Sequence, residues 1–101
     1  MSQADQAPWV SSHERSKHFR KHGQALERET VEEYDRSARA TIRAGKRFIY
    51  RDTTTSEQRV GYFDGRYERL TVVDDREATI VTHFHCSERY VRNLSTSDYR
   101  R

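Results

Sequence analysis

Gln58-Arg59-Val60-Gly61-Tyr62-Phe63-Asp64-Gly65-Arg66-Tyr67-Glu68-Arg69-Leu70-Thr71-Val72-Val73 decides the fold class. Two runs with β-branched and aromatic residues flank Asp64-Gly65, a dipeptide that favours a tight reversal between antiparallel strands. One strand is therefore expected over Gln58–Phe63 and the next over Arg66–Val73. Upstream, Arg47–Asp52 has the same character, with Thr53-Thr54-Thr55-Ser56 as its turn. Downstream, Asp74-Asp75-Arg76-Glu77 turns the chain into a fourth strand, Ala78–His85. Strands joined by such short turns form an antiparallel meander. On the fourth strand, alternation predicts Ile80, Thr82 and Phe84 on one face and Thr79, Val81, His83 and His85 on the other.

Before Gly45 the pattern is helical. Ser11 or Ser12 can cap a helix that carries the early acid Glu14, runs to His22 and stops at Gly23. Thr30-Val31-Glu32-Glu33 forms a capping box, opening a second helix from Val31 to about Arg43. Its apolar positions, Val31, Tyr34, Ala38, Thr41 and Ile42, fall near one face. The expectation is an α+β fold: two N-terminal helices packed on one side of a four-stranded antiparallel meander. Residues 1–10 read as a flexible lead-in, 11–94 as one domain, and 95–101 as a basic tail. Tyr90, Leu94 and Tyr99 are candidate anchors within the polar stretch that follows Cys86.

Of the 101 residues, 33% are hydrophobic and 35% charged, so the core must be small. Six Tyr, four Phe and one Trp compensate, since each buries a large area. No stretch approaches the ~20 apolar residues of a membrane span, and no signal-peptide core opens the chain. The expected setting is the cytoplasm, away from membranes. Net charge is +3, and the basic residues bunch at 15–21, 43–51 and 89–101. Arginine far outnumbers lysine, which favours bidentate recognition of phosphate. With one cysteine, Cys86, there is no internal disulfide and no multi-cysteine zinc site; no metal or other cofactor is expected.

The chemistry-bearing stretch is Arg15-Ser16-Lys17-His18-Phe19-Arg20-Lys21-His22-Gly23. His18 and His22 are an i, i+4 pair and project from one helix face; Lys17 and Lys21 form a second pair on the next stripe. Imidazoles exchange protons near neutral pH, and ammonium groups attract phosphate. A second polar cluster, Thr82-His83-Phe84-His85, lies on the fourth strand. Thr82 and Phe84 facing His22 would join a hydroxyl, an aromatic platform and an imidazole. The alternative turns His83 and His85 inward.

Three stretches together resemble a known group: His18-Phe19-Arg20-Lys21-His22-Gly23, Glu33-Tyr34-Asp35-Arg36-Ser37-Ala38, and Ala78-Thr79-Ile80-Val81-Thr82-His83-Phe84. In order and spacing they are similar to the barnase–EndoU–colicin–RelE superfamily of toxin ribonucleases, nearest its colicin D-like and contact-dependent-inhibition members. The resemblance covers roughly residues 17–94. It implies a metal-independent endoribonuclease on a two-helix, four-strand core. His22 would be the leading general acid/base, Lys17 and Lys21 helpers beside the phosphate, Thr82 the hydroxyl that binds the scissile phosphate, and Phe84 the aromatic next to it. The second basic position of such domains, on the first strand, is matched by both Arg47 and Arg51. Domains of this kind usually close a long secreted protein, whereas this chain begins at Met1, so a free-standing relative is expected.

Cleavage of RNA by its own 2′-hydroxyl needs a base, an acid and cations over the phosphorane. The catalytic candidates are His22, His18, Lys21, Thr82 and His85; those for substrate binding are Lys17, Arg47, Arg51, Phe84 and Tyr90. The expected partners are RNA, tRNA foremost, and an acidic immunity or antitoxin protein. The rival expectation is a non-catalytic RNA-binding or partner-binding domain, in which basic groups and interleaved aromatics hold a single strand. A third is an antitoxin-controlled element or small structural subunit. DNA reading has least support, because the second helix carries acids.

Overall fold

The computed structural model describes residues 3–99 of the 101, with side chains through residue 94. Both predicted caps are made. Ser11 Oγ accepts the Glu14 amide at 3.0 Å and starts α1 (Ser12–His22). Thr30 Oγ1 accepts the Glu33 amide at 3.1 Å and starts α2 (Val31–Ala44), while Glu33 reaches back to the Glu29 amide at 2.9 Å. Strands β1 (Lys46–Arg51), β2 (Gln58–Asp64), β3 (Arg69–Asp74) and β4 (Ile80–His85) form one antiparallel sheet in the order β1-β2-β3-β4. The α+β meander is therefore present as expected.

Its two faces are covered by different helices, which the expectation of a one-sided packing missed. Side chains alternate along β3: Thr71 hydrogen-bonds to Ala38 O of α2, and Val73 joins the Tyr34, Ala38 and Ile42 cluster. Leu70 and Val72 point the other way, into a cluster with Tyr50 and Cys86. That second face is closed by α3 (Glu88–Tyr99), a helix lying where a polar tail was expected. Ser87 Oγ accepts the Tyr90 amide at 3.2 Å, and Val91 and Leu94 pack onto the cluster. The side chain of Tyr99 and the rest of the expected tail, 95–101, fall outside the described side chains. Gly61 lets the sheet close here: a Cβ on it would lie 2.4 Å from Phe48 Cζ, so the ring rests on bare backbone.

The expected flexible lead-in is docked over residues 3–10. Its Pro8 carbonyl accepts the Ile80 amide at 2.8 Å and its Val10 amide donates to Ile80 O at 3.2 Å, so the segment pairs with the start of β4. Ala4, Ala7 and Trp9 are buried against α2. Trp9 Nε1 donates to Asp35 Oδ1 at 2.7 Å, and Arg39 joins the Asp35 carboxylate to the carbonyls of Asp5 and Ala7. The apolar area of the Trp9 ring outweighs the polar character of its neighbours.

Two local readings are also corrected. The Asp64-Gly65 reversal is a four-residue loop, 65–68, with Asp64 paired to Arg69, so β3 begins three residues later than expected. Its left-handed residue is Glu68, at φ 55°, not Gly65. In β4 the strict alternation fails. The register shifts between Val72 and Val73: Val73 pairs with Ile80 and Val72 with Thr82, leaving Val81 as the extra residue of a bulge. Ile80 and His83 consequently face α2, while Thr82 and Phe84 lie on the other face. Among the described residues no helix is long and apolar enough to cross a membrane.

Candidate active site

β4 is an edge strand, and α1 lies along it. Four residues of helix advance about 6 Å and two residues of strand about 6.7 Å, so side chains spaced i, i+4 on α1 meet side chains spaced i, i+2 on β4. That matching of rises sets His18 beside Thr82 and His22 beside Phe84. Thr82 Oγ1 and His18 Nδ1 are 3.0 Å apart. The His18 and His22 rings stack at 5.9 Å between centroids, His22 lies 5.4 Å from Phe84, and Phe84 meets Tyr90 edge-on at 5.8 Å. At the other end, Trp9 stacks 6.4 Å from His18 and 5.6 Å from Tyr34, fixing α1 against α2. A single file of rings thus runs from Trp9 through both imidazoles to Tyr90.

Burial holds the His18 pKa below its ordinary value; Glu14, whose Oε1 lies 3.6 Å from Nε2, works against this, while Lys17 and Lys21 add to it. Burial, His18 and Lys21 together lower His22 as well. Both imidazoles are therefore mainly neutral at pH 7, the form that accepts a proton. Lys17 lies 3.3 Å from Glu14 Oε1 and Lys21 is exposed beside the pair.

The remaining candidates are spread more widely. His85 stands exposed at the end of β4, 3.6 Å from Glu68 Oε1, and among the described residues makes no ring contact with His18 or His22. His83 is inward, as one alternative held, but both its ring nitrogens are engaged. Ser37 Oγ lies 2.9 Å from Nε2, while Thr71 Oγ1 and Leu70 O lie 2.9 and 3.1 Å from Nδ1. Thr71 donates its own proton to Ala38 O, which assigns the proton of His83 to Nδ1. Burial pushes its pKa down to about 3, so it is a neutral structural residue.

Arg47 and Arg51 lie on β1, three strand spacings from β4, or roughly 14 Å. Arg47 is held by Glu77 at 2.9 Å. Arg51 donates to Ser56 O and lines a cavity of about 390 Å³ together with Tyr50 and Tyr90. It therefore connects to the file of rings through Tyr90, and Arg47 does not. Sequence reasoning passed over Glu14 and Trp9. The first was visible as an i, i+4 partner of His18, the second as a lone tryptophan in an otherwise polar lead-in. Comparison of the chain with family models, curated proteins and solved structures finds no match.

Proposed function

We propose that the chain is a metal-independent endoribonuclease, toxin-like in action, that cleaves tRNA or other single-stranded RNA in the cytoplasm. The observation that supports this best is the tie between Thr82 Oγ1 and His18 Nδ1, with His22 stacked between His18 and Phe84. Neutral His22 takes the proton of a 2′-hydroxyl. The 2′-oxygen then bonds to phosphorus and the bond to the 5′-oxygen breaks. His18 gives a proton to that oxygen from its protonated form, the minor one at pH 7, which burial disfavours and Glu14 favours. Lys21 and Lys17 stand over the phosphorane charge, and Phe84 with Tyr90 offers a face for base stacking. The products are a 2′,3′-cyclic phosphate and a 5′-hydroxyl.

Incubation with total tRNA in EDTA tests this directly: cyclic-phosphate ends are expected from the native chain. His22→Ala is expected to lose roughly 100-fold or more in rate, within the range of general acid–base catalysis. A folded His22→Ala protein that cleaves at the native rate removes the assignment. Expression should harm a host cell, His22→Ala should relieve that harm, and an acidic immunity or antitoxin protein is the natural partner for the basic site.

One observation favours a second reading. Tyr90 is 45% exposed beside Phe84, a platform that binds single-stranded RNA without any chemistry. A salt-sensitive mobility shift of tRNA without cleavage selects that reading.

A further inference from the structure

Three arginines from three parts of the fold line one cavity on the α2 side of the sheet. Arg28 comes from the connection after α1, Arg36 from α2 and Arg69 from the start of β3. The cavity measures about 340 Å³, at the small end of the range for small-ligand pockets. Ser37, Ala40 and one carboxylate, Glu33, complete it, and that carboxylate already accepts the Glu29 amide at 2.9 Å. None of the three guanidiniums pairs with a carboxylate among the described residues. Arg28 Nε is buried and has no hydrogen-bond partner among the described residues.

A buried N–H without an acceptor is costly, and three like charges around one hollow repel. A single anion relieves both, and the planar forks of arginine match phosphate oxygens. The cavity reaches the buried histidine of the sheet: Ser37 lines it and bonds to His83.

We propose that Arg28, Arg36 and Arg69 form a phosphate-binding subsite that holds a phosphate of the RNA strand away from the cleaved bond. The identity of the ligand rests on the ribonuclease reading; the anion chemistry does not. The test follows arginine Nε–H resonances by NMR, first with inorganic phosphate and then with single-stranded RNA made uncleavable by 2′-deoxy substitution. Both probes are expected to shift the signals of all three arginines, in His22→Ala as in the native chain.

In Arg36→Gln/Arg69→Gln, phosphate should bind about 10-fold more weakly and KM for RNA should rise by a similar factor with kcat unchanged. Arg36→Gln alone, at an exposed position, gives the same readout in smaller measure if the double variant folds poorly. Absence of shifts, or unaltered phosphate affinity and KM in a folded variant, overturns the subsite. Shifts with phosphate but none with RNA overturn the strand as its ligand. Phosphate and RNA shifts in a chain that never cleaves RNA sink the ribonuclease reading and leave the subsite standing. Cleavage with phosphate affinity and KM both undisturbed in the variant does the reverse.

Discussion

Thr82 is a half-buried threonine on an edge strand, an ordinary residue for that place until its hydroxyl meets Nδ1 of His18. Thr82→Val keeps the shape and the strand preference but removes the hydrogen bond. It should cost less than about 1.5 kcal/mol of stability, since a typical hydrogen bond nets no more. Released from its orienting partner, His18 should cost kcat about 10- to 100-fold. If the chain cleaves RNA as proposed, Thr82→Ser should retain most of the rate; a Thr82→Val protein as fast as the native chain would remove the orienting role.

His22 carries the matching pH prediction. Burial, then His18 and Lys21, lower its pKa, so its base form persists below pH 6.5 and the acid limb of kcat/KM should fall below that value. Lys21→Gln removes one of those causes and should move the limb upward, whereas an unmoved limb detaches it from His22. The imidazole pair itself was readable, because i, i+4 spacing is local geometry. The face of Thr82 was not. It depends on one extra residue in β4, created by pairing with β3 seven to ten positions away.

At the scale of elements, α1 and α2 were legible because Ser11 and Thr30 announce them with capping side chains. α3 was not, because few apolar positions stand out in a charged stretch, although Ser87-Glu88 ahead of Tyr90, Val91 and Leu94 was a usable signal. The lead-in was misread for a different reason. Its composition is that of a loose terminus, yet one ring and one edge strand give it a place. Trp9 is 7% exposed, stacked on Tyr34 and beside His18. Trp9→Ala should therefore cost about 3–5 kcal/mol in urea unfolding. Trp9→Phe keeps the ring and loses the bond to Asp35, for about 1–3 kcal/mol, since Asp35 is charged. Cleavage should fall more in the alanine variant than its remaining folded fraction explains, because α1 loses a wall of the site. A fall that follows the folded fraction alone would limit Trp9 to stability.

For the molecule as a whole, His83 links acid stability to the centre of the fold. It is fully buried between β3 and α2, with neutral partners at both ring nitrogens. Its folded pKa of about 3 lies far below the ordinary 6.5. Between those values the unfolded chain binds a proton that the folded chain refuses. The stabilisation from the neutral imidazole is therefore complete above pH 6.5 and drains away as pH falls towards 3. The lowered pKa values of His18 and His22 act in the same direction.

Asp35 does not interfere with this window. Burial tends to raise its pKa, but hydrogen bonds from Arg39 and Trp9 prevail and lower it, so its contribution is lost only as pH falls below about 4. Urea unfolding between pH 6.5 and 4.5 thus isolates the histidines. Over those two units the native chain should lose about 2–3 kcal/mol from His83 alone. His83→Gln should start less stable at pH 7, because its amide does not reproduce both ring hydrogen bonds, yet should lose correspondingly less over the same interval. Equal slopes for the two proteins would mean that His83 takes up its proton without unfolding the centre of the sheet.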